Sequence, residues 1–440
     1  RSSSSRQRLT SLGYNPCSPM PPHRILLLTD LLPPQFAPRI TALLQRLPEG
    51  DWQIDVVSEE IRGDHLGSHG SVEQKSSLPA HRLERVPLVP RRGRSLYALA
   101  DALWQVKSWR FVRHLRQHYD LTQYDLIVGM SYRTFPLPSV ARLARQTGLP
   151  AVMDCRDIVE EYTPEGFLPA PLPRWVPLRR EAYRWLRRRF IKARTEALRA
   201  ATAITTVSEW HRDLLQQLHP KQRVVCIPNG YDERLFVASL ETAPQLPLRI
   251  VYTGRLLSLE MRDPTLLLEA LQEETLRRWV HRGAVEVHWY CDSASQQLLE
   301  SLLERYSDEV RTCQHFHAMV PYAEVPTLLA QADILLLLGR REQPEGPHGM
   351  VTTKLFEAMA MRRPILMVES DESVVAQILR AHGGALAATE AAQVVQFLGD
   401  HLERLERGEL LPIDTFTDHY QQYTRAAMAK AFAELFSTLV

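Results

Sequence analysis

The stretch EGPHGMVTTKLFEAMAMRRPIL, Glu345–Leu366, decides how this chain is read. It runs from a glycine-containing loop through paired threonines into a helix and ends in a proline-led apolar run. Thr352 or Thr353 suits the N-cap of a helix continuing through Met361, because a hydroxyl there accepts from a free backbone N–H. Met350, Leu355 and Met359 are spaced to pack on a sheet behind it. Lys354 falls in the first turn, where the helix dipole is positive and a lysine is disfavoured. An anion removes that conflict, and the free N–H groups of helix N-termini bind phosphates. Glu357, one turn on, is placed to accept hydrogen bonds from ribose hydroxyls beside a bound diphosphate. A solvent-facing Lys–Glu pair on an ordinary amphipathic helix has the same pattern, so the choice rests on the flanking sequence.

At 440 residues the chain is too long for one ordinary core, and two domains are expected. A hydrophobic content of 45% and a charged content of 24% are those of a soluble globular protein. No apolar run approaches a membrane span; Ile334–Leu338 is the size of a buried strand. Residues 1–22 are rich in Ser and Pro, lack an apolar core, and read as a disordered leader. Five cysteines, without metal-like spacing, suit a reducing cytoplasm better than a disulfide framework. The net charge of +2 conceals an asymmetry: residues 1–240 carry +12 and residues 241–440 carry −10. A basic half beside an acidic one suggests that one half faces an anionic surface or substrate.

Strand-like and helix-like segments alternate along the chain. Ile25–Thr29, Ile54–Ser58, Arg82–Pro87, Asp125–Gly129, Ala151–Asp154, Thr202–Val207 and Val224–Ile227 read as strands. After a linker, about 237–247, the alternation restarts with Leu248–Thr253, Val285–Tyr290, Ile334–Leu338 and Ile365–Val368. Leu96–His118 has helical periodicity, and the last helix is expected over Phe416–Leu439. This order argues for parallel, doubly wound α/β sheets. Pro171–Ala200 stands apart, with ten Lys+Arg against two glutamates and Trp175, Tyr183, Trp185, Phe190 and Ile191 interleaved. Basic amphipathic helices of this kind lie at anionic membrane surfaces, and a solvated helix on a basic domain explains the charge equally well. No nucleic-acid recognition motif accompanies it, so nucleic acid is not expected as a partner.

Four segments together resemble the retaining, nucleotide-sugar-dependent glycosyltransferases of family 4, in their exopolysaccharide and lipopolysaccharide branch. They are AATAITTVSEW (200–210), IPNGYDERLF (227–236), YTGRLLSLEMRDPTLLLEAL (252–271) and GMVTTKLFEAMAMRRPIL (349–366). The resemblance implies a GT-B fold of two Rossmann-like domains facing a cleft: an acceptor domain over 23–236 and a donor domain over 248–415. It also implies that the segment 416–440 crosses back to the first domain. Arg255, after Gly254, matches the family's diphosphate ligand. The partner lysine usually lies five residues on, where this chain has Glu260, and Arg262 is the nearest substitute. A basic pair suits a reaction that expels a nucleoside diphosphate. Glu357 matches the second of the family's two glutamates, which holds the ribose. The first falls at Gly349, which has no side chain; Glu345, four residues earlier, is the catalytic candidate for that role if the loop is rearranged. The backbone amides of Gly349, Met350 and Val351 remain able to meet donor sugar or phosphate.

In the first domain, VMDCRDIVEEY (152–162) stands where the family has a polar loop after a strand. Asp154, Arg156 and Asp157 are then expected at the carboxyl edge of the sheet, where open α/β sheets place ligands, and Asp157 as the group that orients or deprotonates an acceptor hydroxyl. Arg39 and Ser208 are further cleft candidates. The implied activity is sugar transfer from a nucleotide diphosphate donor to a carbohydrate or lipid-linked acceptor, with retention, in the cytoplasm or at the inner membrane face, with no bound cofactor and no metal needed. A sugar-nucleotide epimerase of the same fold, and a non-catalytic sugar-nucleotide-binding protein, are the alternatives.

Overall fold

The computed structural model describes residues 22–33, 37–47, 50–61, 78–90, 92, 94–131, 134–161, 178–238, 245–339, 348–369, 374–409 and 416–440. The leader up to residue 21, most of the linker, Trp175 and Glu345 lie outside the described residues.

Two parallel sheets form within them. The first holds β1 (His23–Thr29), β2 (Trp52–Glu59), β3 (Arg82–Val86), β4 (Leu126–Ser131), β5 (Ala151–Cys155), β6 (Ala203–Thr206) and β7 (Arg223–Cys226), in the order β3-β2-β1-β4-β5-β6-β7. The second holds β8 (Leu248–Thr253), β9 (Val285–Tyr290), β10 (Gln314–His317), β11 (Ile334–Leu338), β12 (Ile365–Val368) and β13 (Ala385–Ala388), in the order β10-β9-β8-β11-β12-β13. Parallel neighbours need crossover connections, and the helices that supply them cover both faces of each sheet. This is the two-domain Rossmann-like architecture expected.

Successive strand side chains point to opposite faces, and this splits the first core into two layers. Leu26, Leu28 and Ile127 pack with Phe111, Val140 and Leu198 on one side. Ile25, Leu27 and Val128 pack with Ile40, Leu43, Met428, Phe432 and Phe436 on the other. Those last three belong to the helix Arg425–Ser437, so a segment that follows the second domain in sequence completes the core of the first. Each large apolar side chain buried this way contributes about 1.5–3 kcal/mol.

Three elements depart from the sequence reading. Leu96–His118 is two helices, Arg94–Trp104 and Val106–His118, parted by Gln105 in the left-handed region (φ 54°). Phe416–Leu439 is a 3-10 segment, Asp418–Tyr423, followed by the Arg425–Ser437 helix, which the Thr424 hydroxyl caps. The break at Thr424 has a cause. Tyr423 stacks on Phe356 of the second domain (4.5 Å), whereas Thr424 bridges to Tyr231 and the Arg425 N–H donates to the Tyr231 carbonyl at 3.0 Å. The chain turns there to pass from one domain to the other.

The third departure is the basic segment, helical over Arg179–Leu198. The apolar stripe expected there is not free: Tyr183, Leu186 and Ala197 are buried in the first domain. Arginines turn inward too. Arg194 clamps the Glu160 carboxylate at 2.6 and 2.5 Å, and Arg187 donates to the carbonyls of Val159 and Glu160 at 3.4 and 2.8 Å. Part of the charge is therefore spent inside the domain, on the loop after β5.

Candidate functional site

The Thr353–Ala360 helix is seated by Leu355, Phe356 and Met359, which pack with Leu335 of β11 and with Ile365 and Met367 of β12. Thr352 is its N-cap by position, in extended backbone, but its hydroxyl makes no capping hydrogen bond, and Met361 is the C-cap. Lys354 stands in the first turn, as expected. Its Nζ is buried, lies 5.1 Å from the Tyr252 ring centre, and has no hydrogen-bond partner among the described residues. Burial, reinforced by the charge of Arg262, pushes its pKa down to about 7, with Glu357 pulling the other way.

Gly254 forms the floor beneath this ammonium. A Cβ there would lie 1.9 Å from Lys354 Nζ, and its φ of +113° is one that L side chains rarely adopt. Arg262 donates to the Arg255 carbonyl, which also accepts from the Tyr252 hydroxyl at 3.0 Å. The turn thus brings Arg262 beside Lys354, while Glu260 is exposed. Arg255 is half-buried and ion-paired with Asp292 at 2.9 Å. Glu357 is buried and accepts from the Tyr322 hydroxyl at 2.8 Å; Tyr322 accepts in turn from Arg425 at 3.2 Å.

In the first domain Asp154, Arg156 and Asp157 lie at the carboxyl end of β5, as expected, whereas the reading of Arg39 is corrected. Asp154 is fully buried, held by Arg39 at 3.0 and 2.9 Å and by the Thr205 hydroxyl at 2.7 Å. Arg39 also donates to the Pro228 carbonyl and the Asn229 side chain, at 3.2 and 3.3 Å. The pair ties the first helix, β5 and the IPNG loop together, so the Arg39 side chain is buried in a structural tie. Arg156 contacts Asp30 at 3.5 Å, and Asp157 is half-buried two residues beyond β5.

Two residues that sequence reasoning passed over stand where the domains meet. Glu161 has a buried side chain; its Oε1 accepts from the Gly349 N–H at 2.5 Å, and its Oε2 lies 2.5 Å from His211 Nε2. His211 is buried in the first turn of the Glu209–Leu218 helix, where its N–H donates to the capping Ser208 hydroxyl. A Cβ on Gly349 would lie 2.5 Å from His211 Cδ2 and 2.9 Å from Ser208 Oγ. Only glycine permits this approach. From Gly349 the chain runs through half-buried Met350, buried Val351 and exposed Thr352 to half-buried Thr353. The available sequence signal was the double glutamate of VMDCRDIVEEY, two adjacent carboxylates in one loop.

Two family models match the chain: the glycosyl transferase 4-like domain over residues 36–230 and the glycosyl transferases group 1 over 247–403. A search of curated proteins finds no match. Among solved structures, sucrose-phosphate synthase from Thermosynechococcus elongatus superposes with TM-score 0.62 at 14% identity, covering 95% of this chain and 99% of that one. Anabaena HepE in complex with UDP gives TM-score 0.62 at 15% identity, covering 94% and 100%. WaaG, a glycosyltransferase involved in lipopolysaccharide biosynthesis, gives 0.59 at 16%, covering 94% and 98%. These likenesses show the fold, and the two family models span both Rossmann-like domains. The chain belongs to the family 4-like glycosyltransferases with the GT-B fold.

Proposed function

We propose that the chain transfers a sugar from a nucleotide diphosphate donor to a carbohydrate or lipid-linked acceptor, with retention of anomeric configuration. Lys354 carries the reading. A buried ammonium without a hydrogen-bond partner costs several kcal/mol unless an anion joins it, and here it sits at a helix start with Arg262 beside it. In this reading Lys354, Arg262 and Arg255 meet the departing diphosphate without a metal. Glu357 accepts from the ribose, and Asp157 orients the acceptor hydroxyl. Anabaena HepE, of the same fold, has been captured with UDP and with UDP-glucose, which supports a donor of this class.

The test is a panel of UDP-, GDP-, ADP- and dTDP-sugars, read by thermal shift and by release of nucleoside diphosphate. Transfer produces the diphosphate and a new glycoside. Isomerised donor marks an epimerase, and a shift without turnover marks a binding protein. Glu357→Ala is expected to weaken donor binding by about 1.5–3 kcal/mol, the worth of a charged hydrogen bond. Unchanged affinity in the folded variant removes Glu357 from the ribose site.

Docking on an anionic membrane belongs to the same proposal, on a face smaller than the sequence implied. Arg180, Arg184, Arg188 and Lys192 are exposed at four-residue intervals, and Trp185 and Leu178 are 42% and 75% exposed on the same helix end. Each basic residue near such a surface contributes about 1 kcal/mol. Arg180, Arg184 and Arg188 replaced together by glutamate should abolish sedimentation with phosphatidylserine vesicles, and wild-type binding should weaken as salt rises. Binding that ignores salt removes the membrane arm and leaves sugar transfer untouched.

A further inference from the structure

The family's first donor-side glutamate would stand at position 349, and this chain has glycine there. The structure nevertheless places a carboxylate at that corner. Glu161 of the first domain brings Oε1 to 2.5 Å from the Gly349 N–H. We propose that Glu161 is the donor-sugar carboxylate of this enzyme, supplied across the cleft from the opposite domain. The inference rests on the glycosyl-transfer reading above.

Three observations converge on it. First, Gly349 and Glu161 are matched. Any side chain at 349 would collide with His211 and Ser208, and among the described residues the carboxylate at this corner comes from the first domain. Second, Glu161 is oriented from behind. His211 holds Oε2 at 2.5 Å, and the two side chains are buried together. Third, its neighbour is anchored in the opposite sense. Glu160 is clamped by Arg194 and held well below the usual carboxylate range by it, despite burial. Arg187 fixes the carbonyls of Val159 and Glu160. The inward arginines of the basic helix thus set the direction in which Glu161 points, which makes His211, Arg187 and Arg194 positioning residues.

The Gly349 N–H and the Glu161 carboxylate meet directly here, and a sugar hydroxyl can take the place of that contact as the two move apart. The hydroxyl oxygen accepts from the amide and its proton is donated to Glu161 Oε1. Because the two groups belong to different domains, the sugar is read only when the domains are closed. A nucleoside diphosphate lacks the sugar and makes no use of this pair.

That difference supplies the test. Affinities of the full chain are measured for the panel nucleotide-sugar that binds wild type and for the matching nucleoside diphosphate. Glu161→Gln keeps the shape and removes the charge. It should weaken the nucleotide-sugar by roughly 10- to 100-fold and leave the nucleoside diphosphate within about threefold. Gly349→Ala leaves Glu161 intact, pushes His211 away, and should lose the same discrimination; it decides the matter if Glu161→Gln does not fold. Equal loss of both ligands, or loss of neither, overturns the proposal while the transferase reading stands on wild-type turnover. Wild type that binds no nucleotide-sugar overturns both.

Discussion

Lys354→Met should leave a protein that folds more stably than wild type and turns over about 10²–10³-fold more slowly, the usual size of losing one charge-stabilising group. The gain follows from the buried ammonium, for which methionine is a near-isosteric apolar substitute. A domain of this size gains about 2–4 °C in melting temperature per kcal/mol. The folded pKa, lowered to about 7, lies below the unfolded value near 10.5. Between those values the unfolded chain holds a proton that the native one has released, so wild-type stability rises with pH across the window. Below about pH 7 both states are protonated and the full penalty is present. The wild-type deficit against Lys354→Met should therefore shrink as pH rises from 7 to 10. Bound diphosphate is expected to restore the proton. At pH 8, calorimetry in buffers of different ionisation enthalpy should show uptake approaching one proton per bound nucleoside diphosphate, absent in Lys354→Met. Binding without proton uptake separates Lys354 from the diphosphate.

Asp232→Ala should destabilise the chain by about 3–5 kcal/mol, the cost of stripping the partner from a buried charge. Asp232 is buried and accepts from Arg46 at 2.9 Å, Arg425 at 3.1 Å and Arg234 at 3.3 Å. Arg46 keeps Glu233 at 2.6 Å and Arg234 is largely exposed, so Arg425 bears most of the loss. Arg425 also supports Tyr322 and, through it, Glu357, so donor affinity should fall together with stability. Burial works to raise the Asp232 pKa, but hydrogen bonds from Arg234 and the charge of Arg425 outweigh it and hold it low. Its contribution is then complete above the unfolded carboxylate value near 3.9 and is lost as pH falls through the folded one. The difference between wild type and variant should be flat from pH 5 to 8 and narrow below about pH 4. Asp232→Ala/Arg425→Leu should recover part of the loss. A change under about 1 kcal/mol in Asp232→Ala contradicts this account.

What could be read in advance was what local pattern encodes. The strand runs around Ile25, Leu126 and Ile334 are continuous and apolar because both faces of a parallel sheet are covered. The conflict of Lys354 with its helix dipole was visible for the same local reason. Arg39 looks like a cleft residue alone, and Asp154, rightly placed at the carboxyl end of β5, looks like a free carboxylate. Only the fold, joining positions 115 residues apart, shows them satisfying one another. Glu161 and His211 were invisible for that reason too, since the contact of Glu161 with Gly349 spans 188 residues. Counting charge over Pro171–Ala200 found a real excess but no directions, and the directions decide: Arg194 faces Glu160 and Arg184 faces solvent.

The Arg425–Ser437 helix has a consequence for how the protein is made. The first domain's sheet is complete once β7 has been synthesised, but Phe432 and Phe436, which cover one of its faces, follow 196 and 200 residues behind Phe236. At 5–20 residues per second, that face waits roughly 10–40 s on the ribosome. During the wait Ile25, Leu27 and Ile40 present an apolar surface to whatever the nascent chain meets, including the emerging second domain. Elongation rate and chaperone supply should therefore control the yield of native protein more than the stability of the finished fold does.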